Sequence, residues 1–262
     1  MKTMLPYLHF FGLSIPTFGL MLFVATMIAA WIMDRNFHRA QVDADAVSLV
    51  AITLFAGIVG AKLWHVVDTP LEFRMGGWHT LLDSGGFAWF GGMVFGITAL
   101  LVQGWRARLG GLRTLDLAAP SAAIGYGFGR LGCLFSGDGC YGVPTLLPWG
   151  MSFPNGIDPT FDRVHPTPLY EFGIALLMAG FLWMRGGKPH GRGAIVGQYL
   201  LLSGMARFLV EFIRRNPRVL WGLSNAQLAS LGSVLAGILL IWYASRRRTA
   251  PEPPATTDEL AA

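Results

Sequence analysis

The stretch VSLVAITLFAGIVGAKLWHVV, residues 47–67, decides the class of fold to which this chain belongs. It is predominantly apolar and carries no ionisable residue apart from Lys62 and His65, and about 20 such residues of helix cross the hydrocarbon core of a bilayer. Together with six further stretches it predicts an all-α integral membrane protein of about seven transmembrane helices. These six cover residues 15–33, 87–105, 115–135, 168–184, 194–212 and 226–243.

The composition of the 262 residues agrees with this class. Apolar residues make up 53% and charged residues only 13%, whereas an average soluble domain has about 25% charged residues. A water-soluble enzyme, a disordered chain and a disulfide-rich secreted module are therefore excluded. The net charge of +5 lies in small clusters between apolar runs, which favours a lipid bilayer rather than a nucleic acid as the partner.

Basic residues in the loops predict the orientation. With the N-terminus outside, the inner segments hold eleven Lys and Arg residues and the outer segments hold six, including Lys2. This bias predicts a periplasmic N-terminus and a cytoplasmic C-terminus. We expect a membrane domain over residues 1–245, whose first span is retained rather than cleaved as a signal peptide. Residues 246–262 are then a disordered cytoplasmic tail.

Residues 136–167, between the fourth and fifth spans, form a segment too long to be a simple connection. Loops of this length are usually functional or disordered, and its apolar content argues against disorder. We expect a small ordered head at the outer lipid surface. The adjoining glycine cluster, residues 125–132, formally matches G-x-G-x-x-G but has no preceding strand, so helix packing is the favoured interpretation.

Charged residues within the predicted spans must face the protein interior. Each would cost about 3 kcal/mol near the middle of a bilayer, and the spans contain Lys62, Arg130, Arg207 and Glu211. Internal pairing is one interpretation, because Arg207 and Glu211 are spaced i, i+4 on one helix face. A phosphate site is the other, because arginine presents a planar fork of donors to anionic oxygens.

Two segments at the head carry reactive side chains. Cys133 and Cys140 flank Asp138, and they are interpreted as apolar packing residues, as a disulfide, or as part of a metal site with His165, although no C-x-x-C spacing supports a metal. The segment HPTPLYE, residues 165–171, contains His, Tyr and Glu where the head meets a span. His165 is a candidate proton acceptor near neutral pH, or an ordinary interfacial residue.

In chain order, these segments resemble the prolipoprotein diacylglyceryl transferase family of bacterial inner membranes. The resemblance covers about nine tenths of the chain. It rests on GIVGAK (57–62), FGGMVFG (90–96), Asp116 with GRLGC (129–133), HPTPLYE (165–171), RFLVEFIR (207–214) and Gln227. Asp138 corresponds to the acidic residue of the family's signature if one inserted position is allowed.

The resemblance implies a reaction as well as a fold. The diacylglyceryl group of phosphatidylglycerol passes to the lipobox cysteine thiol of a prolipoprotein signal peptide, glycerol phosphate leaves, and neither metal nor organic cofactor takes part. Nucleic acid is not among the expected partners. The catalytic candidates are His165, Arg130, Arg207, Asp138 and Glu211. The substrate-binding candidates are Lys62, Asp116, Gly129, Cys133, Tyr170, Glu171, Arg214 and Gln227.

Four positions depart from the family pattern. The family's His before Gly-Gly is Phe90, its Tyr in the first span is Phe18, its signature Asn is Cys133, and its motif Gln is Pro168. A non-catalytic protein that binds or transports anionic phospholipid is therefore the alternative, and a thiol-redox protein is a third hypothesis. A basic cluster in the last outer loop either attracts anionic lipid headgroups or is simply solvated. Its members are Arg214, Arg215 and Arg218.

Overall fold

The computed structural model describes residues 6–10, 13–79 and 86–247. Helices dominate this part of the chain, and each predicted span coincides with one of them. The helices are α1 (Thr17–Arg39), α2 (Ala46–Asp68), α3 (Pro70–Gly76), α4 (Trp89–Arg106), α5 (Gly111–Ser136), α6 (Thr167–Gly186), α7 (Ala194–Val210) and α8 (Asn225–Arg247). A short 3-10 turn, Glu211–Ile213, continues α7.

Five of these helices are long and apolar enough to cross a membrane: α1, α2, α6, α7 with its 3-10 turn, and α8. Their outward faces carry large apolar side chains, such as Phe55 at 69% and Leu177 at 77% exposure. A mostly helical membrane protein is therefore confirmed. Seven crossings and the orientation of the termini stay predictions. Lys2 and residues 248–262 of the predicted tail lie outside the described residues, and residues 246–247 continue α8.

Helix α5 is the most enclosed of the predicted spans. It packs along α1 and α6 and also contacts α7. Small residues permit this packing: a Cβ added at Gly132 would meet Phe18 at 3.0 Å, and one added at Gly127 would meet Ala175 at 3.0 Å. Pro120 lies buried in the middle of the helix. A helix interrupted by Pro and Gly is stable at membrane depth because protein, not lipid, surrounds it.

Residues 137–166 fold into a compact unit at the C-terminal end of α5. Strand β3 (Met151–Phe153) pairs antiparallel with β4 (Thr160–Val164); we number them after β1 (Tyr7–Phe10) and β2 (Leu13–Pro16), a hairpin that precedes α1. Leu134, Tyr141, Phe153 and Val164 form a small core, in which the Tyr141 and Phe153 rings stack at 4.9 Å. The predicted head is thus ordered, and its position at the outer lipid surface stays a prediction.

Candidate active site

A buried carboxylate, Glu171 of α6, gathers three arginines from two other segments. Its oxygens lie 3.6 Å from Nε of Arg130, 3.1 Å from Nη1 of Arg207 and 3.3 Å from Nη1 of Arg214. The hydroxyl of Tyr126 also donates a hydrogen bond to Glu171, at 2.6 Å. Tyr126 and Arg130 lie one helical turn apart on α5, so both reach the same carboxylate.

A second buried carboxylate, Glu211, contacts two of the same three arginines, and we call these three arginines and two glutamates the arginine cluster. Nη2 of Arg207 lies 2.9 Å from Glu211 and Nε of Arg214 lies 3.8 Å from it. Asn216 and Ser224 donate side-chain hydrogen bonds to it, at 2.6 and 2.7 Å. The predicted i, i+4 pair of Arg207 and Glu211 is therefore present. Glu171 connects this pair to α5, because it contacts both Arg207 and Arg130.

The cluster carries an excess of positive charge. Three guanidinium groups and two carboxylates leave one net positive charge within it. The side chain of Arg207 is 25% exposed and that of Arg130 is 19% exposed, whereas both glutamates are enclosed. Because charge-assisted contacts strengthen when water is excluded, this arrangement suits an anion that approaches Arg130 and Arg207.

Two thiols lie next to Arg130. Nη1 of Arg130 is 4.0 Å from Sγ of Cys133 and 3.7 Å from Sγ of Cys140, and both cysteines are free. A hydrogen bond from the Cys133 thiol lowers the pKa of Cys140, opposed by burial and by Asp138 and assisted by Arg130. One guanidinium group therefore contacts both the carboxylate cluster and the thiols.

His165 lies with two aromatic side chains at the junction of the head and α6. Its Nδ1 is 3.3 Å from the Tyr170 hydroxyl, which also accepts a hydrogen bond from Nε1 of Trp149 at 2.8 Å. The backbone N–H of Gly142 donates to the carbonyl of His165 at 2.8 Å. The Thr167 hydroxyl donates to the Cys140 carbonyl at 2.6 Å. These bonds hold the cysteine loop against the first turn of α6.

Of the predicted substrate-binding residues, Glu171 and Arg214 belong to the cluster, whereas Asp116, Lys62 and Gln227 are among those outside it. Asp116, near the other end of α5, accepts hydrogen bonds from the backbone N–H groups of Gly193 (2.6 Å) and Val196 (2.8 Å), so its carboxylate caps α7. The Lys62 ammonium group on α2 lies 4.5 Å from the centre of the Phe87 ring. Gln227 lies nearer to the cluster than Asp116 and Lys62 do. Its side-chain oxygen accepts a hydrogen bond from Arg218 at 2.7 Å.

Sequence reasoning missed three hydrogen-bond donors to the cluster: Tyr126, Asn216 and Ser224. Only Tyr126 had a recognisable signal, because it precedes Arg130 by four residues and so shares its face of α5. Gly129, a predicted binding residue, adjoins Arg130, and a Cβ added there would meet nothing within 4 Å. Phe90, at the position of the family's His, is 54% exposed on α4.

Comparisons with known proteins agree with the motifs. A family model described as prolipoprotein diacylglyceryl transferase matches residues 6–243. A phosphatidylglycerol–prolipoprotein diacylglyceryl transferase of Clostridium tetani is 32% identical over 234 residues, which cover 88% of this chain and 93% of the relative. One of Pseudomonas putida strain F1 is 31% identical over 255 residues, which cover 92% and 94%. One of Clostridium perfringens is 29% identical, over 88% and 91%.

Proposed function

Because this chain belongs to the prolipoprotein diacylglyceryl transferase family, we propose that it transfers the diacylglyceryl group of phosphatidylglycerol to a prolipoprotein. The acceptor is the lipobox cysteine thiol of the signal peptide, and glycerol phosphate is released. One observation carries the assignment of the site: three arginines and two glutamates from α5, α6 and the end of α7 form one buried cluster with a net positive charge.

Arg130 and Arg207 bind the phosphate group in this proposal. They are the more exposed arginines of the cluster, whereas the side chain of Arg214 is only 10% exposed. Phosphatidylglycerol is a phosphodiester with one negative charge, which the net positive charge of the cluster balances. The planar guanidinium groups donate parallel hydrogen bonds to such oxygens.

The same arginines stabilise the leaving group. When the thiolate sulfur attacks the glyceryl carbon, the bond between that carbon and the phosphate oxygen breaks. The electron pair of that bond stays on the phosphate oxygen, so the single negative charge of the phosphodiester becomes two negative charges on the released glycerol phosphate. Donors that are already oriented toward this developing charge lower the barrier, and loss of one typically costs about 100-fold to 1,000-fold in rate.

The glutamates act as positioning residues. Glu171 accepts contacts from three arginines and Tyr126, and Glu211 has four polar partners. Ion pairs and hydrogen bonds of this kind hold the guanidinium groups in place. His165, hydrogen-bonded to Tyr170, is our candidate for receiving a proton near the head, and Asp138 lies beside the thiols.

The cellular setting belongs to the same proposal. We place the protein in a bacterial inner membrane with seven spans, the N-terminus and the head in the periplasm and the C-terminus in the cytoplasm. The distribution of Lys and Arg supports this orientation. The site then opens on the side where secreted precursors arrive. Our proposal leaves Asp116 and Lys62 outside the phosphate site.

A mass-shift assay tests the transfer. Purified protein in detergent is mixed with phosphatidylglycerol and a lipobox peptide, and the peptide mass is followed. We expect a gain of one diacylglyceryl group, lost in Arg130→Ala although the variant still inserts into membranes. No gain beside an active family member refutes the transfer. Lipid binding without transfer would instead support the non-catalytic alternative, which Phe18, Phe90 and Cys133 favour.

A further inference from the structure

Three potential metal ligands converge at the start of the head. The Sγ atoms of Cys133 and Cys140 and a carboxylate oxygen of Asp138 all lie within 4.8 Å of one another. Within the described parts of the chain, this is the one group of three or more His, Cys, Asp or Glu side chains close enough to share an ion. The third potential ligand is therefore Asp138, and not His165 as in the metal-site interpretation of the sequence, which no C-x-x-C spacing supported.

The local backbone is built to bring these groups together. Gly137 and Gly139, with φ of +60° and +80°, turn the chain back over the end of α5. A Cβ at Gly139 would lie 2.6 Å from the carboxylate of Asp158, so the turn has no room for a side chain. The backbone N–H of Cys140 donates to Asp138 at 3.2 Å and orients its carboxylate.

The dimensions of the group fit zinc. Tetrahedral zinc with metal–sulfur bonds of about 2.3 Å requires sulfur atoms about 3.8 Å apart. The three ligand atoms lie within 4.8 Å of one another. To bind zinc, they therefore have to move closer together by about 1 Å at most. Three protein ligands and one exchangeable position are typical of catalytic zinc sites, whereas structural sites use four protein ligands.

The charge balance also fits. Two thiolates and one carboxylate exceed the charge of a zinc ion by one negative charge. Arg130, which is shared with the phosphate cluster, places a positive charge next to this excess, with Nη1 at 4.0 and 3.7 Å from the two sulfur atoms. The same side chain contacts Glu171 of the phosphate cluster. A ligand on the exchangeable position would thus lie next to the arginine that binds the donor lipid.

We propose that Cys133, Asp138 and Cys140 bind a zinc ion whose fourth position takes the acceptor thiol of the prolipoprotein. This inference rests on the proposed function and gives it a means of activating the acceptor. A thiol that coordinates zinc is deprotonated outright. The chain therefore forms the attacking thiolate without the histidine that Phe90 replaces.

The step balances without an oxidant or a second reactant. The acceptor thiol replaces water on the zinc ion, and its proton passes to solvent water. The sulfur gives an electron pair to the glyceryl carbon as the bond between that carbon and the phosphate oxygen breaks. The electron pair of the broken bond leaves with glycerol phosphate. The product is a neutral thioether, a weaker ligand than a thiolate, so water displaces it.

Metal analysis of the full-length protein tests this inference. The protein is reduced with a phosphine, loaded with zinc or cobalt(II), and freed of excess metal. We expect about one metal ion per chain and, with cobalt, the intense near-ultraviolet absorption of thiolate ligands. Asp138→Asn and Cys140→Ser should weaken metal binding by about 10-fold and 100-fold or more. Asp162→Asn, an exposed carboxylate on β4, is the matched control and should bind as the wild type does.

Three outcomes would overturn the zinc site. The reduced wild-type protein retains no zinc or cobalt; the active enzyme contains a Cys133–Cys140 disulfide; or the enzyme transfers at its full rate after a chelator has removed the metal. Each of these leaves the transferase assignment intact, because the mass-shift assay measures transfer independently of the metal content. A protein that binds zinc at these residues but never modifies the peptide would instead refute the proposed function.

Discussion

Replacing Glu171 by Gln should separate the stability of the arginine cluster from its affinity for anions. The change removes one of two buried carboxylates and raises the net charge of the cluster from one positive charge to two. Arg130, Arg207 and Arg214 then face one another with only Glu211 between them. Breaking a buried ion pair from one side typically costs about 3–5 kcal/mol, so we expect a loss of unfolding free energy in this range.

The same change should strengthen the binding of anionic lipid. A carboxylate about 6 Å from a phosphate opposes it by about 2–3 kcal/mol at an effective dielectric constant of 20. Its removal thus predicts up to about 100-fold tighter binding of phosphatidylglycerol. Transfer should nevertheless fall, because the arginines lose the carboxylate that orients them. We expect a lower melting temperature without lipid and a larger lipid-induced rise than in the wild type.

Tyr126→Phe is the matched control for the effect of charge. It removes the 2.6 Å hydrogen bond to Glu171 and leaves every charge in place. Loss of a hydrogen bond to a charged group costs about 1.5–3 kcal/mol, so this variant should be destabilised with an unchanged response to lipid. The assay is thermal unfolding in detergent, followed by tryptophan fluorescence, with phosphatidylglycerol or with uncharged lipid. Equal lipid responses in Glu171→Gln and the wild type would refute the assignment of the cluster as an anion site.

Three further predictions concern single positions. Arg207→Lys should lower transfer by about 100-fold, because one ammonium group cannot reach both Glu171 and Glu211, whereas Arg106→Lys at an exposed helix end should have no effect in the mass-shift assay. Phe90→His should raise the transfer rate if a base near α4 assists the thiol; an unchanged rate would direct attention to His165. Asp116→Ala should cost about 1–2 kcal/mol of unfolding free energy through the lost cap of α7 and leave KM for the lipid unaltered.

The sequence alone was sufficient to predict the helices and the local pairs. Each of the seven apolar runs overlaps a helix over most of its length, and the i, i+4 spacing correctly paired Arg207 with Glu211, which lie 2.9 Å apart. The ordered motifs also identified the family, which the comparison over residues 6–243 confirmed. These features depend on helical periodicity and on the cost of exposing charge to lipid, and both can be calculated from neighbouring residues.

Only the tertiary structure decided which distant residues meet. Arg130 pairs with Glu171 across two helices, Asp116 caps α7 instead of facing the cluster, and Asp138 joins the cysteines. Sequence spacing determines which side chains share a helix face, but it contains little information about which helix packs against that face. That choice depends on the close approach that small residues such as Gly127 and Gly132 permit along α5. It also depends on Gly137 and Gly139, whose left-handed backbone folds the cysteine loop back.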